Sequence, residues 1–69
     1  MHRDPVSSSV IASVGYSADE NLLEVEFRTG NVYRYHRVPP SVYAGLRAAR
    51  SIGRYFNDRI RDRYPWDED

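Results

Sequence analysis

Leu22 to Arg28 alternates cleanly: Leu23, Val25 and Phe27 take one side of an extended chain, Glu24 and Glu26 the other. That period of two marks a half-buried strand. Asn31 to Arg37 reads as the next strand, so the Arg28-Thr29-Gly30 connection fixes which side chains meet. A two-residue loop would set Tyr33 and Tyr35 beside Glu24 and Glu26. A three-residue loop, a type I turn closed by Gly30 in a left-handed bulge, pairs Phe27 with Asn31, Val25 with Tyr33 and Leu23 with Tyr35. This register gathers the large apolar side chains on one face and sets Glu24 opposite Arg34 and Leu22 opposite His36. A one-residue slip would turn the whole apolar set to water, so burial selects the three-residue loop.

The remaining chain supplies one more strand and two helices. Val10 to Tyr16 is rich in β-branched residues and nearly alternates, and Ser17 to Asn21 reads as a turn. Pro39 extends Val38, and Pro40 suits the first helical position, where a missing N–H costs nothing. Val42, Leu46 and Ala49 then follow at helical spacing. Ser51 is placed to cap a second helix, along which Ile52, Phe56, Ile60 and Tyr64 form one apolar stripe until Pro65. Gly53 in its first turn implies close packing, because glycine costs a helix up to ~1 kcal/mol against alanine. The expected fold class is α+β: a three-stranded antiparallel β-sheet, a meander, followed by two α-helices packed on one face (βββαα). Residues 1–7 are expected to be a flexible N-terminal lead, 8–64 the domain and 65–69 an acidic tail.

A chain of 69 residues makes one thin domain. At about 60 residues only ~60% of the unfolded surface is buried. Cysteine is absent, so no disulfide or thiolate cluster staples it, and the nine aromatics and the aliphatic side chains must form the core. Its polar opening residues do not resemble a signal peptide, and no apolar run approaches the ~20 residues of a membrane span. The expectation is a cytoplasmic monomer with no membrane association.

A net charge of zero hides a segregated layout. Residues 1–27 carry one arginine against five acids. Residues 28–63 carry nine arginines against two aspartates, and the last six residues carry three acids. Lysine is absent. Arginine's planar fork suits phosphate and stacks on rings, so the middle segment points to an anionic partner. The alternative is a genome that favours arginine codons, with the charges forming a solvated face. In that alternative Asp58 and Asp62 would pair with neighbouring arginines at helical spacings, but two acids cannot neutralise so many bases.

Tyr33 and Tyr35 could form a stacking platform of the kind that binds single-stranded RNA. The register assigns them instead to the core, together with Phe56, since a sheet this small cannot spare two aromatics. Arg34, Arg37, Arg47, Arg50, Arg54 and Arg61 are the candidate phosphate contacts. Tyr43 and Tyr55, off the apolar stripes, are the possible stacking rings. Glu24 and Glu26 share a strand face, but Arg34 and solvent as neighbours would leave neither tuned for acid–base work. Two histidines without cysteine do not make a metal site. No nucleophile elbow or glycine-rich phosphate loop is present, so no catalytic residue, metal or cofactor is expected. Trp66 and the acids after it are expected to fray into solvent; the competing reading lays the acids across the arginines.

From about Val6 to Tyr64 the chain resembles a KTSC domain. The likeness rests on Ser8-Ser9, Gly15-Tyr16, the Leu23/Val25/Phe27 strand, Gly30 and Tyr33-Arg34-Tyr35. Val38-Pro39, Tyr43, Ala49-x-Ser51-x-Gly53-x-x-Phe56-Asn57 and Ile60-Arg61 complete it. That family is a short module at the C-terminus of some lysyl-tRNA synthetases and a stand-alone bacterial or phage protein. The resemblance implies no defined activity; its synthetase association suggests RNA binding. The expected function is therefore a small non-catalytic module that binds RNA or single-stranded nucleic acid through arginines. The alternative is a protein–protein interaction module, accessory to a translation or phage-related protein.

Overall fold

The computed structural model describes all 69 residues. Seven elements follow in order: β1 (Asp4–Pro5), β2 (Ile11–Ser17), β3 (Leu22–Phe27), β4 (Val32–Tyr35), α1 (Pro40–Ala48), α2 (Ile52–Arg59) and β5 (Trp66–Glu68). The strands form one antiparallel sheet in the order β1-β2-β3-β4-β5. No helix is long and apolar enough to cross a membrane.

The central hairpin has the register that burial demands. Leu23 faces Tyr35, Glu24 faces Arg34 and Val25 faces Tyr33. Gly30 closes the turn at φ +100°, and its amide donates to the Phe27 carbonyl at 2.9 Å. Helix starts also follow local chemistry: Pro39 caps α1 with Pro40 at its first position, and the Ser51 hydroxyl accepts from the Arg54 amide to cap α2. The core lies between sheet and helices. Ile11, Val14, Leu23, Val25 and Tyr35 meet Val38, Leu46, Phe56 and Ile60, all buried.

Six expectations are corrected. The sheet has five strands rather than three, because both chain ends pair with its edges. At the first edge, Asp4 and Pro5 pair with Val14 and Ser13, so residues 1–7 are no loose lead. Gly15 makes the crossing possible: a Cβ there would lie 2.5 Å from the His2 carbonyl oxygen. At the other edge, Trp66, Asp67 and Glu68 pair with Tyr35, Arg34 and Tyr33, so the tail does not fray.

Helix α2 stops at Arg59 instead of running to Tyr64. The Ile60 and Arg61 amides both donate to the Phe56 carbonyl, which widens the last turn. The chain can then turn back, and the Pro65 carbonyl accepts from the His36 amide at 2.8 Å. Glu24, expected beside Arg34 and solvent, does meet Arg34 but is buried between it and Arg3. Gly53 has ordinary packing, since a Cβ there would be 3.8 Å from its nearest neighbours. The crowded glycine is Gly45, whose Cβ would collide with the Tyr55 hydroxyl.

Candidate nucleic-acid interface

The ten arginines divide into those bound by carboxylates and those that are not. On the side away from the helices, strand alternation places Arg34 beside Glu24. The Arg34 Nε donates to Glu24 Oε2 at 3.1 Å, and its Nη2 lies 2.8 Å from Asp69 Oδ1. Asp69, with Glu24 added, holds the guanidinium above its ordinary pKa. Arg3 binds the other oxygen of Glu24. His36 and Asp67 meet at 2.8 Å on the same side. Arg34 is thus bound twice over and separated from the other expected contacts.

Arg47 is also engaged. It donates to the Tyr43 hydroxyl at 2.9 Å and to Asp4 at 3.1 Å, and both bonds hold it above its ordinary pKa. In return Arg47, then His2, lowers the Asp4 carboxyl. Tyr43 stacks on Tyr16 with centroids 4.9 Å apart, and Arg47 lies 5.8 Å from its ring centre. Tyr43 therefore serves packing rather than offering a free ring.

Arg28, Arg37, Arg50, Arg54, Arg59, Arg61 and Arg63 have no carboxylate partner. Five of these lie on or directly beside α2. Arg50, Arg54 and Arg59 surround Tyr55 in a shallow concavity of ≈ 370 Å³ at the helix junction, with Asp58 as its one acid. Arg59 sits 5.9 Å from the centre of the Tyr55 ring. Of the expected phosphate contacts, Arg50 and Arg54 line this concavity beside Tyr55, and Arg47 does not. Arg37 stands apart, exposed in the β4–α1 loop at φ 59°.

The larger concavity, ≈ 640 Å³, opens between the β3–β4 hairpin and α2. Its floor is aromatic: Phe27, Tyr33, Tyr35 and Phe56. Phe56 meets Phe27 and Tyr35 edge-on, each at 5.4 Å, and Phe27 meets Tyr33 in the same way. Tyr35 is core, and burial pushes its phenol up to about 12. Tyr33 is only half-buried, so it divides its ring between core and groove. Arg28 and Arg61 stand on the walls with the amides of Asn31 and Asn57, and no acid lines the groove.

Arg28 donates to the Ser8 carbonyl, and Arg61 reaches the Asn57 amide oxygen at 3.5 Å. Asn31 donates to Glu68 at 2.7 Å, which brings that carboxylate to the neighbourhood of the groove. Sequence reading did not single out Arg28; Asn57 entered it only within the family pattern, and Arg59 only as one of the arginines of a possible basic surface. No cluster of three or more His, Asp or Glu side chains could hold a metal ion.

The residues that line the groove also carry much of the family likeness: Ser9, Phe27, Tyr33, Tyr35, Phe56, Asn57 and Arg61. The sequence profile of the KTSC domain matches residues 7–64. The chain belongs to the KTSC domain family. A crystal structure of a KTSC domain protein from Yersinia pestis superposes with a TM-score of 0.96 at 37% identity, covering 99% of this chain and 96% of that one. An uncharacterized protein of Stutzerimonas stutzeri is 42% identical over 64 residues, 93% of this chain and 90% of the relative. A lysine–tRNA ligase of Nostoc punctiforme is 38% identical over 60 residues. There the KTSC match covers 87% of this chain but 11% of the ligase. Strands β1 and β5 lie outside the profile match.

Proposed function

We propose that this KTSC domain is a non-catalytic module that binds RNA, or another single-stranded nucleic acid, along the face formed by α2 and the β3–β4 hairpin. One observation carries the reading: Arg28 and Arg61, two of the arginines without carboxylate partners, flank a groove with an aromatic floor and no acidic wall. Guanidinium groups bind phosphates, and exposed rings and amides take the faces and edges of unpaired bases. The family's presence within a protein named a lysine–tRNA ligase agrees with an RNA partner.

Of the six arginines read from the sequence, Arg50, Arg54 and Arg61 keep the phosphate-binding role. Arg28 and Arg59 join them, while Arg34 and Arg47 are assigned to stability. The test is a titration of labelled domain with mixed single-stranded RNA at low salt, followed by amide shifts. Shifts are expected at Arg28, Asn57 and Arg61, with an affinity that falls steeply as salt rises, because releasing counterions from the RNA then gains less. No shifts at high micromolar RNA would refute the reading. A partner captured after nuclease treatment and at high salt would favour a protein ligand instead.

A further inference from the structure

Trp66 is the one tryptophan of the chain, and it lies outside the family match. It is nevertheless held in a defined place. Its ring stacks on Tyr33 with centroids 4.9 Å apart and planes 7° from parallel. The backbone on either side is pinned: the Pro65 carbonyl accepts from the His36 amide, and the Asp69 amide donates to the Val32 carbonyl, both at 2.8 Å. With one face on Tyr33, Trp66 is still 52% exposed. An indole fixed in this way leaves a large flat apolar surface in water without covering the core.

Tyr33 joins this surface to the groove, where it meets Phe27 edge-on. Two of the tail's three acids face away from this surface, while Glu68 stands opposite Tyr33 on the groove side. Asp67 and Asp69 turn to His36 and Arg34 on the opposite side of the sheet, and Glu68 is held by the Asn31 amide. An aromatic platform thus continues from a groove whose charged walls are Arg28 and Arg61. Its ligand must offer a flat ring beside negative charge, which describes an unpaired base with its phosphates.

We infer that the open face of Trp66 is a stacking site for one base of a single-stranded RNA whose backbone is held by Arg61 and Arg28. This rests on the RNA reading above and adds a residue to it. Stacking on a ring that is already oriented carries little ordering cost and tolerates any base, since each has a π-face.

The sole tryptophan makes the test direct. Hexauridylate and an abasic hexamer with the same phosphates are titrated at low salt, with anisotropy of labelled RNA reporting binding and Trp66 fluorescence reporting stacking. Hexauridylate is expected to quench Trp66 in step with binding, and the abasic hexamer to bind with little quenching. Trp66→Ala should weaken hexauridylate roughly 5- to 100-fold, and Trp66→Phe should restore part of that loss. Amide spectra verify that both variants fold. Binding with unchanged Trp66 fluorescence and an unaltered Trp66→Ala affinity overturns the stacking site and leaves the RNA reading intact. Equal quenching by the abasic hexamer overturns it too. No anisotropy change with either oligomer removes the RNA reading and the stacking site together.

Discussion

Glu24 and Arg34 face each other across the β3–β4 ladder with Oε2 3.1 Å from Nε, and Glu24 is one of the few buried polar residues of the fold. Its other oxygen takes Arg3, so one carboxylate ties the N-terminal segment to the centre of the sheet. Glu24→Gln keeps the shape but removes the charge that both guanidinium groups need. A loss of about 1–3 kcal/mol is expected, read as a lower urea midpoint at an unchanged slope. Glu26→Gln, which affects a bond from the Ser13 hydroxyl on the same face, should cost less.

Tyr35 gives alkaline pH dependence. Its phenol is raised from 10.0 to about 12 by burial. The unfolded chain therefore loses this proton first as pH rises, and the native state binds more protons through that window. Stability should fall between about pH 10 and 12. Tyr35→Phe removes the ionisable group and should flatten this limb in thermal melts taken across the range. An equally steep limb in the variant would assign it to other tyrosines.

At the acid end, Asp4 is lowered, first by its bond from Arg47 and then by His2. A lowered carboxyl stabilises the fold above its unfolded value of 3.8 and loses that contribution as pH falls through the folded value. Asp4→Asn should make the acid limb shallower while leaving the alkaline limb unchanged. The exposed position keeps the effect small.

The two helical glycines should respond in opposite directions. Gly53→Ala places a Cβ in ordinary contact with Ser8 and Val10 and gains helix propensity, a stabilisation of about 0.5–1 kcal/mol. Gly45→Ala gains the same propensity but drives a Cβ into the Tyr55 ring. It should lower the melting temperature, and adding Tyr55→Ala should recover much of that loss.

Charge removal should separate binding from stability. Arg61→Ala and Arg54→Ala are expected to weaken RNA and to flatten the salt dependence by about 0.7 per lost phosphate contact, with unchanged melting. Arg34→Ala, on the paired side of the sheet, should lower the melting temperature and leave the salt slope alone. Equal effects of all three on RNA affinity would contradict the division of the arginines.

The hairpin, the helix starts and the core positions of Tyr35 and Phe56 follow from short-range chemistry. Strand alternation, a left-handed glycine, a proline at the first helical position and a serine cap all act within a few residues. The chain ends were not legible in this way. Asp4-Pro5 and Trp66 to Glu68 have no periodicity long enough to announce a strand. They become strands because β2 and β4 present unpaired backbone to them, and because Gly15 leaves room for the first crossing.

The same distinction holds for the site. Sequence alone established that arginines concentrate after residue 27 and that aromatics cluster near Tyr33. It could not say that Arg34 and Arg47 are bound by acids distant in the chain, nor that Arg28 and Arg61 share a groove. Pairing between charges 10 to 43 residues apart is decided only when the sheet closes and the helices dock. Composition counted the arginines; tertiary contact chose which ones remain available to a ligand.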